Sequence, residues 1–179
     1  VLGHTSISRR LIDLADSVVG NIPGGLGIVG VATAVFLAGI SGSGPADVAA
    51  LGLVLIPAMI RSGYDSGFSA ALAAVSGGIG IIVPPSIALI IYGVVAEVSI
   101  PRLFIAGIVP GLIVALMLAV TIYYISRKRG YGRTGTQRER LPFGVALRRS
   151  FWGLLAPVII LGGIYGGIFT PTEAAAVAV

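Results

Sequence analysis

Apolar residues run along this chain in five long stretches, and polar residues gather in a few short places between them. The first stretch, Gly24 to Gly42, ends in the polar run Ser41-Gly-Ser-Gly-Pro-Ala-Asp47. The second, Val48 to Ile60, stops at Arg61; its 13 residues would rise about 20 Å as a helix, short of a hydrocarbon core of roughly 30 Å. The third begins after Asp65 and reaches Val95, with interruptions at Gly77-Gly-Ile-Gly80 and Pro84-Pro85. The fourth, Leu103 to Ile125, has 23 residues without a charge and reads as a plain spanning helix. The fifth runs from Phe151 to Phe169, after which Thr170 is placed to cap a further helix opening on Pro171. Before all of these, Leu11, Leu14, Val18 and Val19 recur at helical spacing while Arg9, Arg10, Asp13 and Asp16 take other positions. That pattern predicts an amphipathic helix at a membrane interface.

Composition excludes the ordinary soluble alternative. The 179 residues are 56% hydrophobic and only 11% charged, with a mean hydropathy of +1.02, whereas soluble domains carry about a quarter charged residues. A single water-facing core cannot hide so much apolar surface. Glycine is abundant, 27 residues, as membrane helices tolerate. Cysteine is absent, which removes disulfides and thiolate metal sites. No signal peptide is visible, and a chain that opens on Val1 and closes within an apolar run at Val179 is expected to be a piece of a longer protein.

The net charge of +5 raises the question of nucleic acid, and its distribution answers it. Eight of the twelve cations (Arg127, Lys128, Arg129, Arg133, Arg138, Arg140, Arg148 and Arg149) lie in one stretch with a single acid, Glu139. The remainder of the chain holds four cations and six acids. A basic connection between two apolar segments is the mark of a cytoplasmic loop, here 127–149, and no nucleic-acid partner is expected. If the first two stretches form a re-entrant hairpin, Arg9, Arg10, Arg61 and the basic loop share one side, and Arg102 alone faces the other beside Glu97. Two full crossings give the same sidedness; the short second arm and polar tip favour the hairpin.

The expected fold is therefore an all-α membrane protein, with transmembrane helices, a re-entrant helical hairpin and a helix broken at Pro-Pro. Its parts are an interfacial arm at 1–22, the hairpin at 23–62, the broken helix at 63–98, a transmembrane helix at 99–126, the basic loop at 127–150, and a further transmembrane helix with the start of the next at 151–179.

Two places break the rules of a membrane interior. At the tip, Gly and Pro unravel the helix, Ser41 and Ser43 bring hydroxyls, and Asp47 brings a carboxylate. This is either an aqueous loop or a binding tip, since irregular backbone at membrane depth needs protein or a water-filled cavity around it. Asp47 is placed to cap the second arm, and Ser43, Asp47 and Ser86 are the candidate side chains for substrate. In the third stretch Pro84 and Pro85 have no amide, so carbonyls near Gly80 and Ile81 lose their helical partners. That is either a packed kink or a set of carbonyls suited to a desolvated alkali cation, with Ser86 restarting the helix. His4 is the only histidine and lies outside the apolar stretches, while Trp152 and Tyr123-Tyr124 sit where interface anchors are expected. No nucleophile–base pair, phosphate-binding loop or metal-ligand cluster is present in the sequence, so enzymatic chemistry is not expected.

These segments also carry a recognisable pattern. The runs A-G-I-S-G-S-G-P-A-D-V-A-A-L-G, L-I-P-A-M, A-A-L-A-A-V-S-G-G-I-G-I-I-V-P-P-S-I-A-L-I-I-Y-G, V-S-I-P-R-L-F-I-A-G-I-V-P-G, R-K-R-G-Y and G-G-I-Y-G-G-I-F-T-P-T-E-A-A resemble the large membrane subunit of tripartite ATP-independent periplasmic (TRAP) transporters. The resemblance covers nearly the whole chain from Ser8 onward and about the first of the family's two inverted repeats. It implies a sodium-driven, elevator-type secondary transporter of a bacterial inner membrane. Its implied partners are a small (DctQ-like) membrane subunit, a periplasmic substrate-binding protein, and a small organic acid such as a C4-dicarboxylate or a sialic acid. It also implies a sodium site of mostly backbone oxygens around Ser41 and Gly44 of the tip and Gly80, Val83 and Pro85 of the broken helix. Another sodium-coupled carboxylate carrier without a binding protein, or a channel-forming or structural subunit, are the alternatives.

Overall fold

The computed structural model describes residues 10, 13, 14, 17, 22–131, 142–168 and 170, with the side chains of 149, 152–154, 156 and 157 outside the description. Six continuous helices follow in chain order: α1 Gly25–Ser41, α2 Gly44–Arg61, α3 Ser66–Ile82, α4 Ile87–Val95, α5 Ile100–Arg129 and α6 Phe143–Tyr165. Among the described residues there is no strand. Two of these helices, α2 and α5, are long and apolar enough to cross a membrane, and α3 with α4, bent by 41° at their break, would make a third span. This is an all-helical, multi-pass membrane protein.

Helix ends differ from the sequence expectation in an instructive way. Pro45 stands in the first turn of α2, where its fixed φ suits a helix start and its missing amide is no loss. The second arm therefore begins at Gly44 and reaches 18 residues, about 27 Å, rather than the 13 counted from Val48. The Gly77–Gly80 run does not interrupt α3, which continues to Ile82. The basic stretch is helical at both margins: α5 runs on through Arg127, Lys128 and Arg129, where cations favour a helix C-terminus, and α6 already starts at Phe143. The expected loop at 127–150 is thus confined to the part between Gly130 and Pro142, and residues 132–141 lie outside the described residues. His4, most of the amphipathic arm, and the helix expected after Thr170 lie outside them as well, as does the side chain of Trp152. Of the arm, Arg10, Asp13, Leu14 and Ser17 are helical, with Leu14 buried and Arg10 and Asp13 exposed.

α1 and α2 form an antiparallel hairpin whose arms meet where Gly30 faces Leu55 and Gly27 faces Met59. α3 lies against both arms, and one core joins Val29, Val31, Ala34 and Leu37 of α1, Leu51, Leu55 and Met59 of α2, and Leu72 and Ile79 of α3. α5 adds Ala115 and Ile122. A second cluster packs Phe104 of α5 against Ile160 and Ile164 of α6, with Leu89, Ile90 and Ile100 around it. Lipid supplies no hydrophobic drive between helices, so close approach at small residues carries the packing. Along the α2–α3 seam Gly44 lies over the Gly77 carbonyl, and Val48 fills the space above Gly77. Gly107 and Gly111 of α5 seat Ile82 and Val83 in the same manner.

These contacts fix the level of the hairpin tip. Gly107 and Gly111 stand about 10 and 16 Å from the start of α5 and roughly 30 Å from its end, and the tip adjoins the same segment through the break. The connection between α1 and α2 packs on the bundle with Gly42 buried and Ser43 partly exposed, while Pro45 and Ala46 in the first turn of α2 are exposed. At the opposite end an aromatic cluster closes the base: Tyr64 stacks on Phe68, 6.3 Å between centroids, and lies 5.1 Å from Tyr131. Burial pushes the Tyr64 hydroxyl above the usual tyrosine range. Arg61, Arg127, Lys128 and Arg129 are exposed around this base, and Arg102 and Glu97 are exposed at the far end. The hydroxyl of the buried Ser150 in α6 donates to the Arg10 carbonyl over 2.8 Å and ties the arm to the bundle.

A methyl group at Gly107 would stand 2.6 Å from the Ile82 carbonyl oxygen, whereas one at Gly78 meets nothing within 4 Å. Gly107→Ala should lower stability by about 1–3 kcal/mol. Gly78→Ala should leave it unchanged or raise it by up to about 1 kcal/mol. Thermal unfolding of the full-length protein in detergent compares the two.

Candidate functional site at the hairpin tip

The tip is built by two residues that leave the helical path. Gly42 ends α1 in the left-handed region, φ 59°, and its N–H donates to the Ala38 carbonyl over 3.1 Å. No other residue fits, because a Cβ there would run into the Pro85 carbonyl. Ser43 is extended and precedes α2 without a side-chain cap. Its N–H donates instead to the Ser41 hydroxyl oxygen, 3.2 Å away. The Ser41 hydroxyl donates to Asp47 Oδ1 at 2.5 Å. Asp47 therefore does not cap α2, as its position suggested; it reaches back across the tip to the last residue of α1.

Asp47 is 2% exposed. Its second oxygen, Oδ2, has no hydrogen-bond partner among the described residues, and it lies 2.5 Å from the point where a Cβ on Gly80 would stand. The missing side chain at Gly80 is what admits the carboxylate.

The break opposite the tip is equally defined. Val83 N–H makes the last helical bond of α3, to the Ile79 carbonyl at 2.8 Å. Pro84 and Pro85, joined by a cis peptide bond, offer no donor to the carbonyls of Gly80 and Ile81. The Ile81 carbonyl is recovered locally, by the hydroxyl of fully buried Ser86 at 2.6 Å. The same hydroxyl caps α4 by accepting from Leu89 N–H at 3.4 Å. The carbonyl facing Pro84, that of Gly80, has no such hydroxyl beside it in sequence.

Tip and break are joined directly. Ile87 N–H, in the first turn of α4, donates to the Gly42 carbonyl over 3.1 Å. Four helix ends consequently meet at one level: the C-termini of α1 and α3 and the N-termini of α2 and α4. The first pair presents partial negative charge suited to a cation, and the second presents partial positive charge suited to an anion.

Residues 1–179 match the model of the family described as tripartite ATP-independent periplasmic transporter, DctM component. The chain belongs to that family. Similar proteins include an isethionate TRAP transporter permease, DctMQ, of Oleidesulfovibrio alaskensis, 50% identical over 177 residues, or 99% of this chain and 28% of the relative. The C4-dicarboxylate TRAP transporter large permease DctM of Pseudomonas aeruginosa is 48% identical over 174 residues, 96% of this chain and 40% of that one. The sialic acid TRAP transporter permease SiaT of Haemophilus influenzae is 45% identical over 173 residues, 96% of this chain and 28% of that one. The chain thus spans between 28% and 40% of the length of these DctM-family relatives.

Within this DctM-family segment the residues singled out by sequence come together unequally. Gly44 and Gly80 are adjacent, and Pro85 lies against Gly42. Ser41 and Asp47 are hydrogen-bonded. Val83 faces Gly111 of α5 with its side chain. The Gly44 carbonyl is packed against Gly77 within the first turn of α2. Gly42 and Ile87 went unnoticed in the sequence although they carry the main-chain bridge; a glycine directly after a helix end was the available signal.

Ser86 contributes both a donor and an acceptor to the break. Ser86→Ala should cost about 1–3 kcal/mol, seen as a lower thermal midpoint of the full-length protein. The same variant should speed amide exchange at Leu89 and Ile90 but not in the core of α5, as read by hydrogen-exchange mass spectrometry.

Proposed function

We propose that the full-length protein is the large permease of a sodium-coupled secondary transporter in a bacterial inner membrane, with its basic end cytoplasmic. In this reading it imports a small organic acid delivered by a periplasmic binding protein, and works with a small membrane subunit. The observation that carries the reading is the meeting of four helix ends at one level of the bundle, in a chain of the DctM family.

The donor chemistry at the tip fits a small hard cation, which takes oxygen ligands. Asp47 Oδ2 is buried without a partner among the described residues, in the space that the missing side chain of Gly80 leaves. Ser41, Gly80, Val83 and Pro85 are the residues that would hold sodium, with Gly44 shaping the wall next to Gly80. Bound sodium would supply positive charge at the C-termini of α1 and α3. The N-termini of α2 and α4 then stand ready for a carboxylate, and Ser43, the residue before α2, is partly exposed. Ser86, buried and engaged on both sides, holds the break in shape. Substrate and ion would each raise the other's affinity through this shared geometry, a reciprocal coupling. The bundle of α1 to α3 with α5 would move as one body.

The test is uptake into proteoliposomes holding the full-length permease with its small subunit and a candidate binding protein. Isethionate, C4-dicarboxylates and sialic acid are offered under an inward sodium gradient or an equal potassium gradient. Saturable uptake should require sodium and the binding protein; uptake indifferent to sodium would refute the coupling, and uptake without the binding protein would refute the tripartite reading. Pro85→Ala returns an amide to the break and should raise the sodium concentration for half-maximal uptake roughly tenfold, about 1.4 kcal/mol.

A further inference from the structure

Asp47 is the one carboxylate buried inside the bundle among the described residues. A carboxylate removed from water needs a positive partner or several hydrogen bonds. Asp47 has one side-chain donor, Ser41, and its Oδ2 has none among the described residues. Arg61, the cation of its own helix, stands 14 positions further on, about 21 Å along the axis. The far-end Arg102 lies beyond the break, in the first turn of α5.

We infer that Asp47 is a positioning residue for the cation bound at the tip, orienting the Ser41 hydroxyl and supplying the fixed negative charge beside Gly80, and that it is not a contact for the organic acid. The inference rests on the sodium reading above and deepens it. A serine hydroxyl has one proton and two lone pairs. At Ser41 the proton is committed to Asp47 Oδ1 and one lone pair to Ser43 N–H, so the other is directed away from both. Rotation of the hydroxyl, which would turn a proton toward a cation, is thereby suppressed. Oδ2 meanwhile reaches the Gly80 backbone because no Cβ stands in its way. The two carboxylate oxygens thus serve the two halves of the site, one on the tip and one on the broken helix. With 2% exposure, the carboxylate has no surface to offer a substrate.

The experiment uses purified full-length protein in detergent. Sodium chloride replaces choline chloride at constant ionic strength, and the thermal midpoint is followed, since a ligand that binds the folded state raises it. In the wild type the midpoint should rise saturably with sodium. Asp47→Asn, equal in shape and without charge, should need at least tenfold more sodium for half of the rise. Gly80→Ala, which crowds Oδ2 without altering any charge, should shift the sodium requirement in the same direction. The double variant should be no worse than the more affected single one. A purely structural role for Asp47 predicts something else: a lower midpoint at every sodium concentration with an unchanged sodium requirement, and that outcome overturns the proposal. If Asp47→Asn does not accumulate, Gly80→Ala and Ser41→Ala decide in its place, and a wild-type sodium requirement in both overturns it equally. A wild type with no sodium-specific rise removes the sodium reading itself, a result separable from the others.

Discussion

The interior of a membrane provides no water to pair with main-chain groups, so a helix that ends there must find its partners within the protein. Everything at the centre of this molecule follows from how that demand is met. α1 ends at Ser41 and α3 at Ile82, and each is followed within a few residues by a new helix. The hydrogen bond from Ile87 N–H to the Gly42 carbonyl pairs an orphan acceptor of one break with an orphan donor of the other. Each interruption is thus the solution to the other's deficit.

Packing then holds the two breaks in register. Leu51, Leu55, Met59 and Ile79 are fully buried among the arms and α3, and the α2–α3 seam closes over glycines instead of side chains. A seam of this kind brings the Gly44 and Gly77 backbones together, with the Val48 side chain packed over Gly77. At the base, Tyr64, Phe68 and Tyr131 link the turn after α2 to the end of α5. The candidate site therefore lies at the helix ends joined by main-chain hydrogen bonding, at the other end of the bundle from the aromatic cluster.

Much of this was legible from residue order. The Pro84-Pro85 pair and the Ser41–Asp47 run mark the two breaks: two consecutive prolines remove adjacent donors, and Gly42 and Ser43 leave the helical path, whereas the single prolines Pro57 and Pro110 stay inside α2 and α5. The lengths of the helices were less legible. Charge and hydropathy suggest that helices stop at the edge of the apolar stretch, yet α5 continues through Arg127–Arg129 and α6 begins before Arg148, because long basic side chains extend outward from a helix as readily as from a loop. Glycine weakens a helix, so Gly77–Gly80 reads as an interruption in sequence; in the fold Gly77 and Gly80 are required by the approach of Gly44, Val48 and Asp47 from α2, while Gly78 faces open space. The Ser41–Asp47 bond and the Gly42–Ile87 bridge depend on the folded path of the chain, and no periodicity encodes them.

Gly107 and Gly111 press α5 onto Ile82 and Val83 at the level of the tip, while the opposite side of the helix shows Ile105, Val109, Leu112, Leu116 and Val120. Any displacement of the breaks is then also a displacement of that apolar strip against its surroundings. Where the surroundings are lipid, the bilayer must thin, thicken or tilt to follow, at fractions of a kcal/mol per ångström of mismatch. Hydrocarbon thickness thereby acts, through that strip, on the position of the two breaks.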